Sequence, residues 1–235
     1  QMLMIGSDAN FGGRKTYFQT HGNFEIFDYY SAIERQLIPN DYFEWWGFED
    51  EKLFEFAKDE LIELAEKEDP FNFTMLTVNT HHIDGYLSEG CDPMFDKQYA
   101  SVIHCSDKLL AEFISWVQEQ SFYDDTTIVI VGDHLSMDPN YFKDMTFDRN
   151  LINIFINSSS ETNVTNRHAS VFDIFPTTLS SMGVIIEGDR LGLGTNLFSS
   201  KPTLLEKYSV DEINDELARF SEFYNNNFIL NERNK

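Results

Sequence analysis

Three places in the chain gather residue types that can do chemistry. Gly132-Asp133-His134 sets a carboxylate beside an imidazole, directly after the run Thr126-Thr127-Ile128-Val129-Ile130-Val131. Carboxylate plus neutral imidazole is a ligand pair for a divalent transition metal. The same spacing suits a solvated Asp-His turn, and the residues alone leave both readings open. His81-His82 follows a second apolar run, Phe73-Thr74-Met75-Leu76-Thr77-Val78-Asn79-Thr80. An imidazole there can donate to a phosphoryl oxygen, move a proton or bind metal; an ordinary polar loop is the alternative. Arg14 follows Gly12-Gly13 and stands near Phe11. Its planar fork suits phosphate or sulfate, although a lone arginine after two glycines also reads as a surface residue.

These groups are useful together only if strands deliver them to one edge. The uninterrupted run before Gly132 reads as a strand buried on both faces, of the kind found in parallel sheets. If that strand and residues 73–80 are parallel neighbours, both carboxyl ends face one cleft, where open α/β sheets bind ligands. Between the strands lie amphipathic stretches. Residues 50–68 place Leu53, Phe56, Ala57, Leu61, Leu64 and Ala65 on one helical stripe. Residues 96–120 do the same with Tyr99, Val102, Leu109, Phe113, Trp116 and Val117. Strand, helix, strand, helix, strand predicts an α/β fold, a mostly parallel sheet with helices on both faces.

The remainder is read in less detail. Met2 to Gly6 looks like a first strand, and Ser7 to Lys15 a loop. Residues 18–46 are dense in aromatics without a period. They read as a packed irregular segment with short helices; a lipid- or sugar-facing aromatic wall is the alternative. Residues 151–157 form a strand, 158–166 a polar loop, and 171–182 a helix with Pro176 in its first turn. The glycine-rich stretch 188–195 lacks the Gly-Lys-Ser/Thr ending of a phosphate-binding loop and reads as a structural turn. A terminal helix over 204–223 and a polar tail from Asn225 make up residues 201–235. The whole of 1–235 reads as a single domain, with no repeat and no linker.

Composition bounds the partners. At 42% hydrophobic the chain can build a core, and a net charge of −23 argues against nucleic acid or a polybasic hold on anionic membranes. It fits an exported or surface-facing protein that meets an anionic substrate through a local cation; plain solubility explains the charge equally well. Cys91 and Cys105 form no CxxC pattern, and two free thiols are expected. No apolar run reaches bilayer-spanning length. Gln1 opens the chain within what reads as the first strand, and an excised or truncated piece is expected.

Several segments together resemble one family. Leu76-Thr77-Val78-Asn79-Thr80-His81, Tyr123-Asp124-Asp125-Thr126, Gly132-Asp133-His134 and Phe172-Asp173-Ile174-Phe175-Pro176-Thr177-Thr178-Leu179 stand in the order seen in lipoteichoic acid synthases and phosphoglycerol transferases. These form part of the sulfatase-like branch of the alkaline phosphatase superfamily. The stretch from Gly188 to Ser199 and the opening Gly6 to Phe11 are similar to the phosphoglycerol transferases of periplasmic glucans.

The resemblance implies an alkaline phosphatase/sulfatase-like fold, incomplete at its N-terminus, and a transfer of glycerophosphate from a phosphatidylglycerol-type donor to a glycan or polyglycerophosphate acceptor. It implies that Asp133 and His134 are metal ligands, for Mn²⁺ or else Zn²⁺ or Mg²⁺, weakly held by so few groups. It implies that His81, with His82 as the competing choice, contacts substrate together with Arg14 and Phe11. Gly12 stands where lipoteichoic acid synthases place a tryptophan. The family's threonine nucleophile matches no segment here, so this portion alone is expected to be inactive. The partners implied are an anionic lipid headgroup and a glycan acceptor, at the extracellular or periplasmic face of a membrane that only upstream segments would enter. A sulfatase, a phosphoethanolamine transferase, or a non-catalytic module for anionic ligands is the alternative.

Overall fold

A computed structural model of the chain describes residues 1–67, 69–161 and 166–229. The chain divides into two compact units, Gln1–Asp124 with Asp133–Leu151, and Asp125–Gly132 with Ile152–Lys235.

The first unit is built on a parallel sheet of order β2-β1-β3. Strand β1 (Met2–Ile5) lies between β2 (Glu25–Phe27) and β3 (Phe73–Leu76). A central strand covered on both faces must be apolar throughout, and every residue of Met-Leu-Met-Ile is buried. Helix α1 (Arg14–Gly22) follows β1, and α2 (Tyr29–Glu34) follows β2. The Asp28 carboxylate starts α2 by accepting the Ser31 N–H at 3.1 Å.

Helices α3 (Asp50–Ala65) and α4 (Gln98–Gln118) present the apolar stripes read from the sequence. Leu53, Ala57, Leu61 and Leu64 of α3 are buried, as are Val102, Phe113 and Val117 of α4. The two helices meet through Phe54 and Phe113, whose ring centroids are 5.0 Å apart. Phe27, Phe48 and Phe56 close the core beneath β2. The expected end of α3 at Glu68 lies outside the described residues.

The cysteines depart from expectation. Cys91 and Cys105 are joined in a disulfide, with Cα atoms 5.9 Å apart. A loop cysteine and a helix cysteine fourteen positions apart carry no sequence signal of pairing; the pairing depends on the loop folding back along α4.

In the second unit β4 (Ile128–Val131) pairs with β5 (Asn153–Ile156). The pairing is antiparallel, and β4 is only partly covered, with Val131 44% exposed. The expectation of a parallel strand buried on both faces is therefore corrected for β4. A β-branched run records extended backbone and not the direction of its partner. Helix α5 (Ile174–Ser181) carries Pro176 in its first turn. Asp173 sits just before it and binds two ways: one carboxylate oxygen accepts the Ser170 N–H at 2.8 Å, the other the Thr195 N–H at 2.7 Å. Thr195 belongs to the hairpin of β6 (Arg190–Leu191) and β7 (Gly194–Thr195). A Cβ on Gly194 would stand 1.8 Å from the Phe172 carbonyl oxygen, so the glycine-rich stretch is indeed a structural turn, packed on the start of α5.

The expected helix over 204–223 is broken in two, α6 (Val210–Leu217) and α7 (Glu222–Tyr224). Ser209 and Glu212 form a reciprocal capping box at the start of α6, and Ser221 caps α7. Arg167 ties this tail down: its guanidinium grips Glu206 at 2.6 and 2.8 Å and donates to the carbonyls of Ser199 and Lys201. Part of the polar loop 158–166 and the end of the tail lie outside the described residues.

Candidate functional site

Because β1 and β3 are parallel neighbours, paired from Met2↔Phe73 to Ile5↔Leu76, the loops that follow them leave at one edge of the sheet. The segment after β1 carries Phe11 and, as the first residue of α1, Arg14. The turn after β3 carries His81 and His82.

The turn after β3 is anchored from beneath. Buried Asp50 accepts the N–H groups of Val78 and Asn79, at 2.8 and 3.0 Å, one on each carboxylate oxygen. Asn79 returns the bond, its side-chain oxygen accepting the Asp50 N–H at 3.1 Å, and its amide donates to Ser88 at 2.9 Å. Burial pushes the Asp50 carboxyl up to about 6, and the two N–H bonds only partly oppose it.

Above this anchor, side chains form a continuous surface stripe. The Arg14 guanidinium lies 5.3 Å from the centre of the Phe11 ring. Phe11 packs on Trp46 at 5.6 Å, and Trp46 on His81 at 4.7 Å. His81 and His82 stack at 4.4 Å. The structure thus brings together Arg14, Phe11, His81 and His82, and adds Trp46. The His81 Nδ1 lies 2.7 Å from the His82 carbonyl oxygen. A carbonyl can only accept, so Nδ1 carries the proton and, in the neutral ring, Nε2 presents its lone pair.

Asp133 and His134 begin the loop that rejoins this unit. Asp133 accepts the His134 N–H at 2.8 Å, and its other oxygen lies 3.5 Å from His134 Nε2. Both side chains are exposed. His134 Nδ1 is 2.9 Å from the Leu135 carbonyl oxygen. By the same reasoning it is the donor, which leaves the Nε2 lone pair, beside the Asp133 carboxylate, available to a ligand, the arrangement in which protein carbonyls orient metal-binding histidines. The donor chemistry therefore fits a divalent cation. Among the described residues, however, no group of three or more His, Cys, Asp or Glu is placed to hold one. Asp133 and His134 supply a partial set.

The Asp-His loop is fastened to the double-histidine turn. Tyr99 of α4 donates to the Thr80 carbonyl at 2.8 Å and receives the Ser136 hydroxyl at 2.6 Å. Asp138 accepts the Asp84 N–H at 2.8 Å and those of Asn140 and Tyr141 at 2.9 and 2.7 Å. Burial works to raise the Asp138 carboxyl, but these three bonds, with His82 nearby, hold it below the usual carboxylate range. Arg149 donates to the Ser136 carbonyl at 2.8 Å over the Phe142 ring. Sequence reasoning missed Trp46, Tyr99 and Asp138 in these roles. Trp45-Trp46-Gly47 was the signal for the first; for the others, a tyrosine on a core-facing stripe and an acid in a polar loop gave none.

A parallel sheet that delivers histidines and an arginine to its carboxyl edge, with an Asp-His loop secured beside them, defines a class of α/β protein. The same fold occurs in a protein of the alkaline phosphatase superfamily from Vibrio parahaemolyticus, with a TM-score of 0.60 and 24% identity over 78% of this chain and 44% of that one. It occurs again in a lipoteichoic acid synthase from Listeria monocytogenes, with a TM-score of 0.55 and 19% identity over 84% of this chain and 53% of that one. The chain belongs to the sulfatase family, whose model matches residues 3–184. Among curated proteins it is 32% identical over 146 residues to phosphoglycerol transferase I of Xanthomonas axonopodis pv. citri, and 31% identical over 210 residues to phosphoglycerol transferase I of Escherichia coli. These alignments take in 60% and 83% of this chain but only 20% and 26% of the relatives.

Proposed function

We propose that this chain forms the substrate-holding part of a metal-dependent phosphoglycerol transferase. The reaction moves glycerophosphate from a phosphatidylglycerol-type donor to a hydroxyl of a glycan or polyglycerophosphate acceptor. The observation that carries the reading is the stripe Arg14–Phe11–Trp46–His81 at the carboxyl edge of the sheet, with the Asp133-His134 loop bonded to the same turn.

Each residue has a defined task. Arg14 offers a planar pair of N–H donors to two phosphate oxygens. His81 turns its Nε2 toward the phosphoryl group, as a donor when protonated and an acceptor when neutral. Asp133 and His134 would contribute two ligands to Mn²⁺, Zn²⁺ or Mg²⁺, and a bound cation there would offset phosphoryl charge. The nucleophile is assigned to none of these residues.

The relatives' names favour transfer of phosphoglycerol over hydrolysis of a sulfate ester or transfer of phosphoethanolamine. The disulfide supports an oxidising compartment, outside the cytoplasm. Among the described residues no helix is long and apolar enough to cross a membrane. The test is a transfer assay on the full-length protein with labelled phosphatidylglycerol, an oligosaccharide acceptor and Mn²⁺. Asp133→Ala is expected to abolish metal-dependent transfer while circular dichroism stays unchanged. Undiminished transfer by that variant removes the metal assignment.

A further inference from the structure

We infer that Trp46 is the specificity-determining wall of this stripe, against which a sugar ring of the acceptor packs its carbon–hydrogen face. The inference rests on the reading above.

The loop around Trp46 is held in place. Glu44 and Gly47 exchange backbone hydrogen bonds at 2.7 and 3.1 Å, and Phe48 donates to the Gly6 carbonyl at 2.9 Å. Gly47 comes so close to β1 that a Cβ there would stand 2.1 Å from the Gly6 oxygen. Next door, the Trp45 indole donates to the Val78 carbonyl at 3.2 Å and stacks on Tyr86. Trp46 is thereby tied to both strand ends that carry the stripe, β1 through Gly6 and β3 through Val78. A wall anchored to the two strands is pre-organised, so a ligand does not have to order it.

The position has no rival within the Phe11 loop. Gly12 and Gly13 have φ of 66° and 74°, and nothing lies within 4 Å of a Cβ built on either. A bulky side chain at 12 would be strained in that conformation. The aromatic neighbour of Phe11 comes instead from residue 46, far along the chain.

The surroundings choose the ligand. Trp46 is packed by Phe11 and His81 at interplanar angles of 57° and 56°, yet it remains 36% exposed. The tilted neighbours do not form a parallel apolar slot for an acyl chain. The His81 imidazole packs on the Trp46 ring and the Arg14 guanidinium on its neighbour Phe11, so polar groups border the indole where an acyl chain would offer them nothing. A pyranose offers an apolar C–H face to the indole and hydroxyls to its rim. It satisfies both demands, as aromatic side chains with a polar edge require.

The test uses the full-length protein and two acceptors, a gluco-oligosaccharide and glycerol. Trp46→Ala is expected to lower the ratio of kcat/KM for the oligosaccharide to that for glycerol about tenfold, and Trp46→Phe to keep it within about threefold. A ratio unchanged by Trp46→Ala, with both acceptors falling alike, assigns Trp46 a merely structural role and overturns the inference. A second measurement needs no turnover. Oligosaccharide is expected to change the tryptophan fluorescence of the wild type and not of Trp46→Phe. A wild type that transfers nothing but keeps this difference sinks the transferase reading and leaves the wall standing. No response in the wild type, or the same response in Trp46→Phe, overturns the wall.

Discussion

Asp138 accepts the backbone N–H of Asp84 at 2.8 Å, and so fastens the loop that begins at Asp133-His134 to the turn that begins at His81-His82. The same carboxylate takes the N–H groups of Asn140 and Tyr141 on its other oxygen. Both oxygens are in use, which makes the residue intolerant of a change in chemistry at constant shape.

Asp138→Asn tests that intolerance. The amide replaces one accepting oxygen by NH₂, and whichever way it faces, a backbone N–H loses its acceptor. We expect a loss of about 1–3 kcal/mol in urea titration at neutral pH. The folded-state pKa of Asp138 is depressed, so its contribution is present above the unfolded value and is lost as pH falls through the folded one. The gap between wild type and variant should narrow in acid. A gap that stays constant contradicts the assignment.

Asp50 has the opposite sign. Its folded carboxyl titrates at about 6 against an ordinary 3.8. The folded state therefore holds the proton more tightly. This contribution to stability is full below the ordinary value and is lost as pH rises through about 6, on the order of 3 kcal/mol in all. Lowering the pH from about 7 to about 5 should strengthen the wild type relative to Asp50→Asn, which has no such titration. Chemical denaturation at the two pH values measures the difference, and a pH-independent gap would falsify the buried-acid account.

The Cys91–Cys105 bridge closes a loop with a sequence separation of 14. Chain entropy puts the loss on removing it at about 3 kcal/mol. Cys91→Ser with Cys105→Ser should melt lower than the wild type. A reductant should bring the wild type down to the double variant and leave the double variant unmoved. A melting temperature indifferent to reductant would show that the loop is held by other means.

What could be read from the sequence follows from how each element earns its stability. β1, α3 and α4 announce themselves because each buries a continuous run or a regular stripe, and burial leaves a pattern; β3 does so by its apolar run alone, being only half-buried. β2 was hidden: Glu25–Phe27 is too short to show a period among so many aromatics. The antiparallel pairing of β4 was invisible, since Ile128–Val131 says nothing about Asn153–Ile156. The break between α6 and α7 was legible in principle, in Ser209 three residues before Glu212 and in Ser221. At the site, histidines, arginine and the Asp-His pair stood out by type. Trp46, Tyr99 and Asp138 did not, because their roles come from contacts between segments distant in sequence.

Arg14→Lys probes the phosphate fork. Lysine keeps the charge but offers a single point of attachment, so the affinity for glycerol phosphate should fall about tenfold. Isothermal titration measures it, and equal affinity would mean that Arg14 acts only as a charge.

The central claim is that the Asp133-His134 corner and the Arg14–His81 stripe serve one substrate. The most direct measurement is the ³¹P relaxation of glycerol phosphate bound to the full-length protein in the presence of Mn²⁺. The account predicts strong enhancement in the wild type, and its loss both in His134→Ala, where the metal is released, and in Arg14→Ala, where the phosphate is. Enhancement that survives His134→Ala undiminished would place the metal elsewhere and contradict the account.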